Sequence, residues 1–347
     1  MPRLKITLVT LALFFSTLAC RAATRLIIPD TPTPLPPTPT PPTFTPTPII
    51  TPTLTPTPLF EASCPLVLED IVGASLNFEG DSSDKTEEDT YLVVYSVDGD
   101  EISHQFYNAV PESLRDEQDD RETHRELWNY FTRLIPITER RFVSEFSIAT
   151  DGSGHVLAAV GQNDDDPQTW VLEVDILDSS DKYALTFTLI HEFAHLLTLN
   201  SSQVPPDLGI FDNPYNDEIY QRELAACPNY FHGEGCSNSN SYINQFFDRF
   251  WLDLFAEWRE IDSEEDEDTY YSLLDEFYDT YQDQFLTDYA PTSPAEDIAE
   301  SFAFFILSPK PELNSIANEK ILFFYEFPEL VELRRQIVNQ VCAEFPQ

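Results

Sequence analysis

Two histidines stand four residues apart, with a glutamate directly after the first: His191-Glu192-Phe193-Ala194-His195. On a helix, positions i and i+4 stack on one face, so His191 and His195 can present two imidazoles to one metal ion. Glu192 then falls beside the ion's open position rather than on the ion. A carboxylate placed there can take a proton from water. Leu185, Leu189, Leu196 and Leu197 make this segment a core element. Three titratable groups in such surroundings are costly without a metal or hydrogen-bonding partners. The metal that this pattern predicts is zinc, one ion per chain.

A catalytic zinc usually takes three protein ligands. A third histidine in the HExxHxxGxxH arrangement is excluded. His195 is followed by Leu196-Leu197-Thr198-Leu199-Asn200, and the only methionine is Met1, so no methionine turn exists either. A downstream glutamate is the other common solution. Ser293 reads as an N-cap and Pro294 as the first helical position. A helix starting there carries Glu296 and Glu300 on one face, at i and i+4. One carboxylate can bind the ion while the other fixes a ligand histidine. Glu223, His232, Asp212, Asp217 and Glu218 compete with Glu296 for the third position. His104, His124 and His155 have no pattern around them and read as surface or turn residues.

The elements that must position these groups can be read coarsely. Tyr91–Val97 and Trp170–Leu177 read as strands, rich in β-branched and aromatic residues. Phe142–Thr150 and His155–Gly161 look like a hairpin around Asp151-Gly152-Ser153-Gly154. Glu112–Leu134 shows helical spacing. Tyr183–Leu199 is apolar and free of Gly and Pro, which predicts a buried helix. A Pro- and Asn-rich loop follows, from Ser201 to about Asn238. Helices are expected over Tyr242–Glu260, Glu265–Asp283, Pro294–Leu307 and Leu330–Phe345. Phe246, Phe247, Phe250, Trp251, Phe255 and Trp258 have helical spacing and read as core. Strands first and helices afterwards give an α+β class.

Here a resemblance becomes specific. HEFAH followed by Tyr289-Ala290-Pro291-Thr292-Ser293-Pro294-Ala295-Glu296-Asp297-Ile298-Ala299-Glu300-Ser301-Phe302 resembles the gluzincin peptidases related to the catalytic domain of anthrax lethal factor. In that family an HExxH helix is completed by a Y-x-x-T-x-x-x-E-x-x-x-E-x-F segment. The resemblance covers about twenty residues in two blocks. It implies a zincin-like fold, a mixed N-terminal sheet with the HExxH helix, and a mainly helical C-terminal part. It implies His191, His195 and Glu296 as zinc ligands, Glu192 as the base, and Glu300 as the carboxylate behind a ligand. Tyr289 would polarise the scissile carbonyl or protonate the leaving amine. The implied activity is peptide-bond hydrolysis on a peptide or protein substrate. A catalytically inactive, metal-containing surface-binding protein is the alternative. The gap of 296 − 195 = 101 positions is wider than in that family and implies an inserted loop carrying Cys227 and Cys236.

Composition bounds the rest. The chain has 347 residues, 61 of them acidic and 19 basic, for a formal charge of −42. Such a surface repels phosphate backbones, which argues against nucleic acid as a partner. The acidic runs Asp262–Asp268 and Asp164–Asp166 read as solvated faces. Arg3 and Lys5 precede the uncharged apolar stretch Ile6–Ala19, about right for an export signal and short for a membrane span. Thr17-Leu18-Ala19-Cys20 resembles the lipobox of bacterial lipoproteins. Residues 1–19 are therefore expected to be a signal peptide, with Cys20 lipidated and the chain anchored to a membrane outside the cytoplasm. Residues 20–60 read as a Thr/Pro-rich tether. Its Pro29–Pro58 stretch holds 13 prolines and favours extended polyproline II, with a reach on the order of 90 Å. Residues 61–347 form the globular part. The remaining cysteines are even in number, which in an exported chain suggests two disulfides, Cys227 with Cys236 and Cys64 with Cys342. A cysteine-based zinc site is disfavoured, since no C-x-x-C pair occurs.

Overall fold

A computed structural model of the chain describes residues 64–78, 86, 89–152 and 154–345. The signal, Cys20 and the tether lie outside the described residues. The described part is α+β. Five strands form one mixed sheet: β1 (Thr90–Asp98), β2 (Glu101–Tyr107), β3 (Val143–Thr150), β4 (Ala158–Gln162) and β5 (Trp170–Asp175). Their order is β2-β1-β3-β5-β4. Only the β3–β5 pair is parallel.

The expected hairpin between β3 and β4 does not form, because β5 lies between them and pairs with both. The intervening turn is not a simple reversal. The Asp151 carboxylate accepts from the backbone N–H of His155 (3.1 Å) and Val156 (2.9 Å). The Asp151 N–H donates to Asp175 on β5, at 2.9 Å. Gly152 takes a φ of 72°, which glycine adopts without strain. The chain thus crosses the end of β5, which Phe146, Ile148, Leu172 and Val174 place in the core.

Helix α1 (Pro65–Leu76) precedes the sheet, and α2 (Arg115–Asp119) and α3 (Arg121–Leu134) follow β2. Then come α4 (Lys182–Leu199), α5 (Leu208–Phe211) and α6 (Asp217–Ala226). The C-terminal part holds α7 (Tyr242–Phe250), α8 (Phe255–Asp262), α9 (Glu267–Tyr281), α10 (Pro294–Leu307), α11 (Ile316–Phe324) and α12 (Pro328–Glu344). Helix α4 is the HExxH helix. Asp181 caps it by accepting from the N–H of Tyr183 and Ala184. Being apolar all round, it is buried all round. It packs against α1, α10 and β4.

Two long helices expected from periodicity are broken. The Tyr242–Glu260 stretch divides at Trp251–Leu254 into α7 and α8, and Glu112–Leu134 divides at Asp120, which caps α3. Phe246, Phe247, Phe250, Trp251 and Trp258 are buried as expected, with Phe255 packed against them. His124 corrects the surface reading. It is fully buried, and its Nδ1 and Nε2 meet the Tyr95 hydroxyl (2.7 Å) and the Glu117 carbonyl (2.8 Å). Its neighbours on α3 carry an apolar face into the core, and the ring follows them in because both nitrogens find partners. The acidic run 262–268 is exposed, and Asp266 within it caps α9. Asp164–Asp166 is exposed as well.

Both disulfides are present. Cys227 joins Cys236, and Cys64 joins Cys342 across 278 positions, tying the start of α1 to α12. Closing so long a loop restricts the unfolded chain by about 3–5 kcal/mol. Replacing Cys64 and Cys342 together with alanine is expected to lower the unfolding free energy by about that amount. Denaturant titration would measure it, and an unchanged midpoint would contradict the entropic account.

Candidate metal centre

The centre is built where α4 crosses α10. Ser293 caps α10 by accepting from the Glu296 N–H at 3.0 Å, and Pro294 fills the first helical position. The helix therefore begins with Glu296 in its first turn, one residue before the fully buried Asp297. Asp297 accepts from the Trp251 indole at 2.7 Å and pairs with Lys320 of α11 at 2.6 Å. This anchor fixes the rotation of α10, which turns Glu296 and Glu300 toward α4. Lys320 and Trp251 carry no motif, and sequence reasoning did not find them.

Three atoms converge there. His191 Nε2 and His195 Nε2 are 3.2 Å apart. Glu296 Oε2 lies 2.9 Å from the first and 3.3 Å from the second. A tetrahedral zinc with N and O ligands at about 2.0–2.1 Å requires edges of about 3.3 Å between them. The triangle fits that figure, slightly contracted. The Glu192 carboxylate lies within 4.8 Å of the two histidine ligand atoms. It also accepts from the Val160 N–H of β4.

Behind the triangle, His191 Nδ1 meets Glu300 Oε1 at 2.9 Å. Glu300 Oε2 accepts in turn from the Thr287 hydroxyl at 2.8 Å, and Thr287 Oγ1 accepts from the Ala290 N–H at 3.2 Å. With its Nδ1 proton on Glu300, His191 turns a lone pair at Nε2 toward the other two donors. Thr287 is a residue that sequence reasoning missed. It sits two positions before Tyr289 in an irregular segment, and no pattern marks it.

Electrostatics follow from this packing. Burial works against the charged imidazole of His191, but bonds to Glu296 and Glu300 outweigh it and hold its pKa well above the usual range. Burial also opposes the Glu296 carboxylate, yet His195 and His191 hold its pKa well below the usual range. Glu192 is pushed up to about 7, mainly by burial and further by Glu296, against the pull of both histidines. Tyr289 is 41% exposed overall. Its ring centroid is 6.0 Å from that of His191, and its hydroxyl is directed at Glu296. Burial of that hydroxyl and the charges of Glu296, Glu192 and Glu300 raise its pKa well above the usual range, so it stays protonated.

No family model, curated protein or solved structure matches this chain.

The rival positions stand elsewhere or are committed. Asp212, Asp217 and Glu218 are exposed. Glu223 on α6 pairs with Arg222 at 2.6 Å. His232 borders the centre electrostatically, interacting with His195 and Glu296. A second acidic group, Asp151, Asp175 and Asp178, is spent on turns. Asp175 accepts from the backbone N–H of Asp151, Leu177 and Asp178.

Because Thr287 orients Glu300, and Glu300 orients His191, Thr287→Val is expected to weaken zinc binding about 10-fold. Competition against a chelator of known affinity would read this. Equal affinities in the two proteins would show that the chain of bonds does not steer His191.

Proposed function

We propose that this chain is a zinc-dependent metallopeptidase of zincin-like fold, a gluzincin in which His191, His195 and Glu296 hold one zinc ion. The observation that carries the reading is the triangle of two imidazole nitrogens and one carboxylate oxygen with zinc-compatible edges of 2.9–3.3 Å. Behind it stands Glu300, and beside it a glutamate tuned to about 7. When bound, zinc supplies a Lewis acid that polarises the scissile carbonyl and acidifies water.

This chain's own residues do the rest. Glu192, with a pKa near neutrality, takes a proton from the attacking water and passes it to the departing nitrogen. Tyr289 keeps its proton and donates a hydrogen bond to the oxygen of the reacting carbonyl. Glu300 holds His191 in the tautomer that directs Nε2 at the ion. The substrate is a peptide or protein segment in extended form. Of the expected Phe142–Gly161 region, β3 is interior and β4 is a sheet edge. The peptide therefore adds alongside β4, next to Glu192.

The two disulfides indicate an oxidising, extracytoplasmic environment. No helix among the described residues is long and apolar enough to cross a membrane. We place the enzyme at a membrane surface through lipid on Cys20, with the Thr/Pro-rich tether as spacer.

Glu192→Gln is expected to keep one zinc per chain and to lose about 10³-fold or more in kcat. Cleavage of a fluorogenic peptide library together with metal analysis would show both. Substantial turnover by that variant would rule out this mechanism.

A further inference from the structure

His232 lies beside the centre, and the mechanism above gives it no task. It sits on a short hairpin in which Phe231 bridges Cys236 and the Cys227–Cys236 disulfide closes the base. Gly233 turns the hairpin with a φ of 106°. The hairpin is fixed on two sides. The Tyr230 N–H donates to Asn244 Oδ1 of α7 at 2.8 Å, and the Ser237 N–H donates to the Tyr230 carbonyl at 2.9 Å. The Asp207 N–H donates to the Glu234 carbonyl at 2.7 Å. A Cβ on Gly235 would lie 2.2 Å from the Pro205 carbonyl oxygen, so the hairpin presses on the segment that follows α4.

The His232 side chain is 9% exposed and stands edge-on to Tyr230, with ring centroids 6.4 Å apart. Its Nδ1 is buried and has no hydrogen-bond partner. The Glu234 carboxylate stands 3.8 Å away, beyond hydrogen-bond range. A buried, unpaired ring nitrogen is costly, and such a group calls for an explanation in function. The ring interacts with His195 and Glu296, and the neighbouring Tyr230 also feels Glu296. The hairpin therefore borders the same centre as α4 and α10. Since Glu296 already takes the third corner of the triangle, the ring is not needed as a ligand.

We propose that His232 is a further substrate-contacting residue, hydrogen-bonding the reacting carbonyl group of a peptide bound at the centre, and that the disulfide-closed hairpin serves to hold it there. This rests on the metallopeptidase reading. Burial and the nearby His195 push the imidazole down to about 4, so near neutral pH it is uncharged and has one N–H to donate. The ring gives a hydrogen bond and keeps its proton. It would share with Tyr289 the stabilisation of charge that develops on the carbonyl oxygen.

The test uses the zinc-loaded protein, with His232→Phe to keep the ring and its contact with Tyr230, and His232→Gln to offer an N–H in its place. The probes are Zn2+ itself, a phosphonamidate peptide mimicking the tetrahedral state, and a peptide from the library that the wild type cleaves. His232→Phe is expected to bind the phosphonamidate about 100-fold more weakly and to lose a similar factor in kcat, with KM nearly unchanged. Zinc affinity should stay as in the wild type. His232→Gln should recover part of the phosphonamidate affinity. A His232→Phe protein that binds the phosphonamidate as the wild type does overturns the proposal. So does a His232→Phe protein that has lost zinc, since the ring would then be a ligand. Failure of the wild type to bind zinc would instead overturn the metallopeptidase reading itself.

Discussion

Three Lewis bases held within 3.3 Å of one another repel unless something positive lies among them. The rest of the fold around α4 and α10 can be understood as the apparatus that imposes this proximity. Helix α4 is buried all round, so its histidines cannot swing into solvent to relieve the strain. Helix α10 is held by the Asp297–Lys320–Trp251 anchor, so Glu296 cannot retreat without exposing a buried carboxylate. Glu300 commits one nitrogen of His191 and leaves the other as a donor. A cation resolves the conflict, and protons are the only competitor on the page. They charge His191 and bridge it to both glutamates, so binding of a metal there releases protons.

Much of this was legible in the sequence because local chemistry dictated it. HExxH on an apolar segment without Gly or Pro admits few structures besides a buried helix with two stacked imidazoles. Ser293-Pro294 fixed the start of α10 to the residue, and with it the face shared by Glu296 and Glu300. The cysteine pairs followed from parity and proximity along the chain.

What stayed hidden depends on contacts remote in sequence. Helix α11 was missed, since its fully buried Lys320 makes sense only beside Asp297. Strand β2 was missed because, as an edge strand, it is largely exposed and shows no apolar alternation. The β3–β4 hairpin was expected from a Gly-rich turn, but the competing partner β5 lies further along the chain. Thr287 and His232 act through tertiary neighbours that no spacing rule reaches.

The central claim is that Glu296, across 101 positions of chain, completes the pair of histidines as one metal site. Zinc titration of the purified wild type and of Glu296→Ala, with circular dichroism to verify folding, tests it most directly. The account predicts one tightly bound zinc per wild-type chain and affinity lower by about 100-fold or more in the folded variant. A folded Glu296→Ala protein that holds zinc as tightly as the wild type would contradict it.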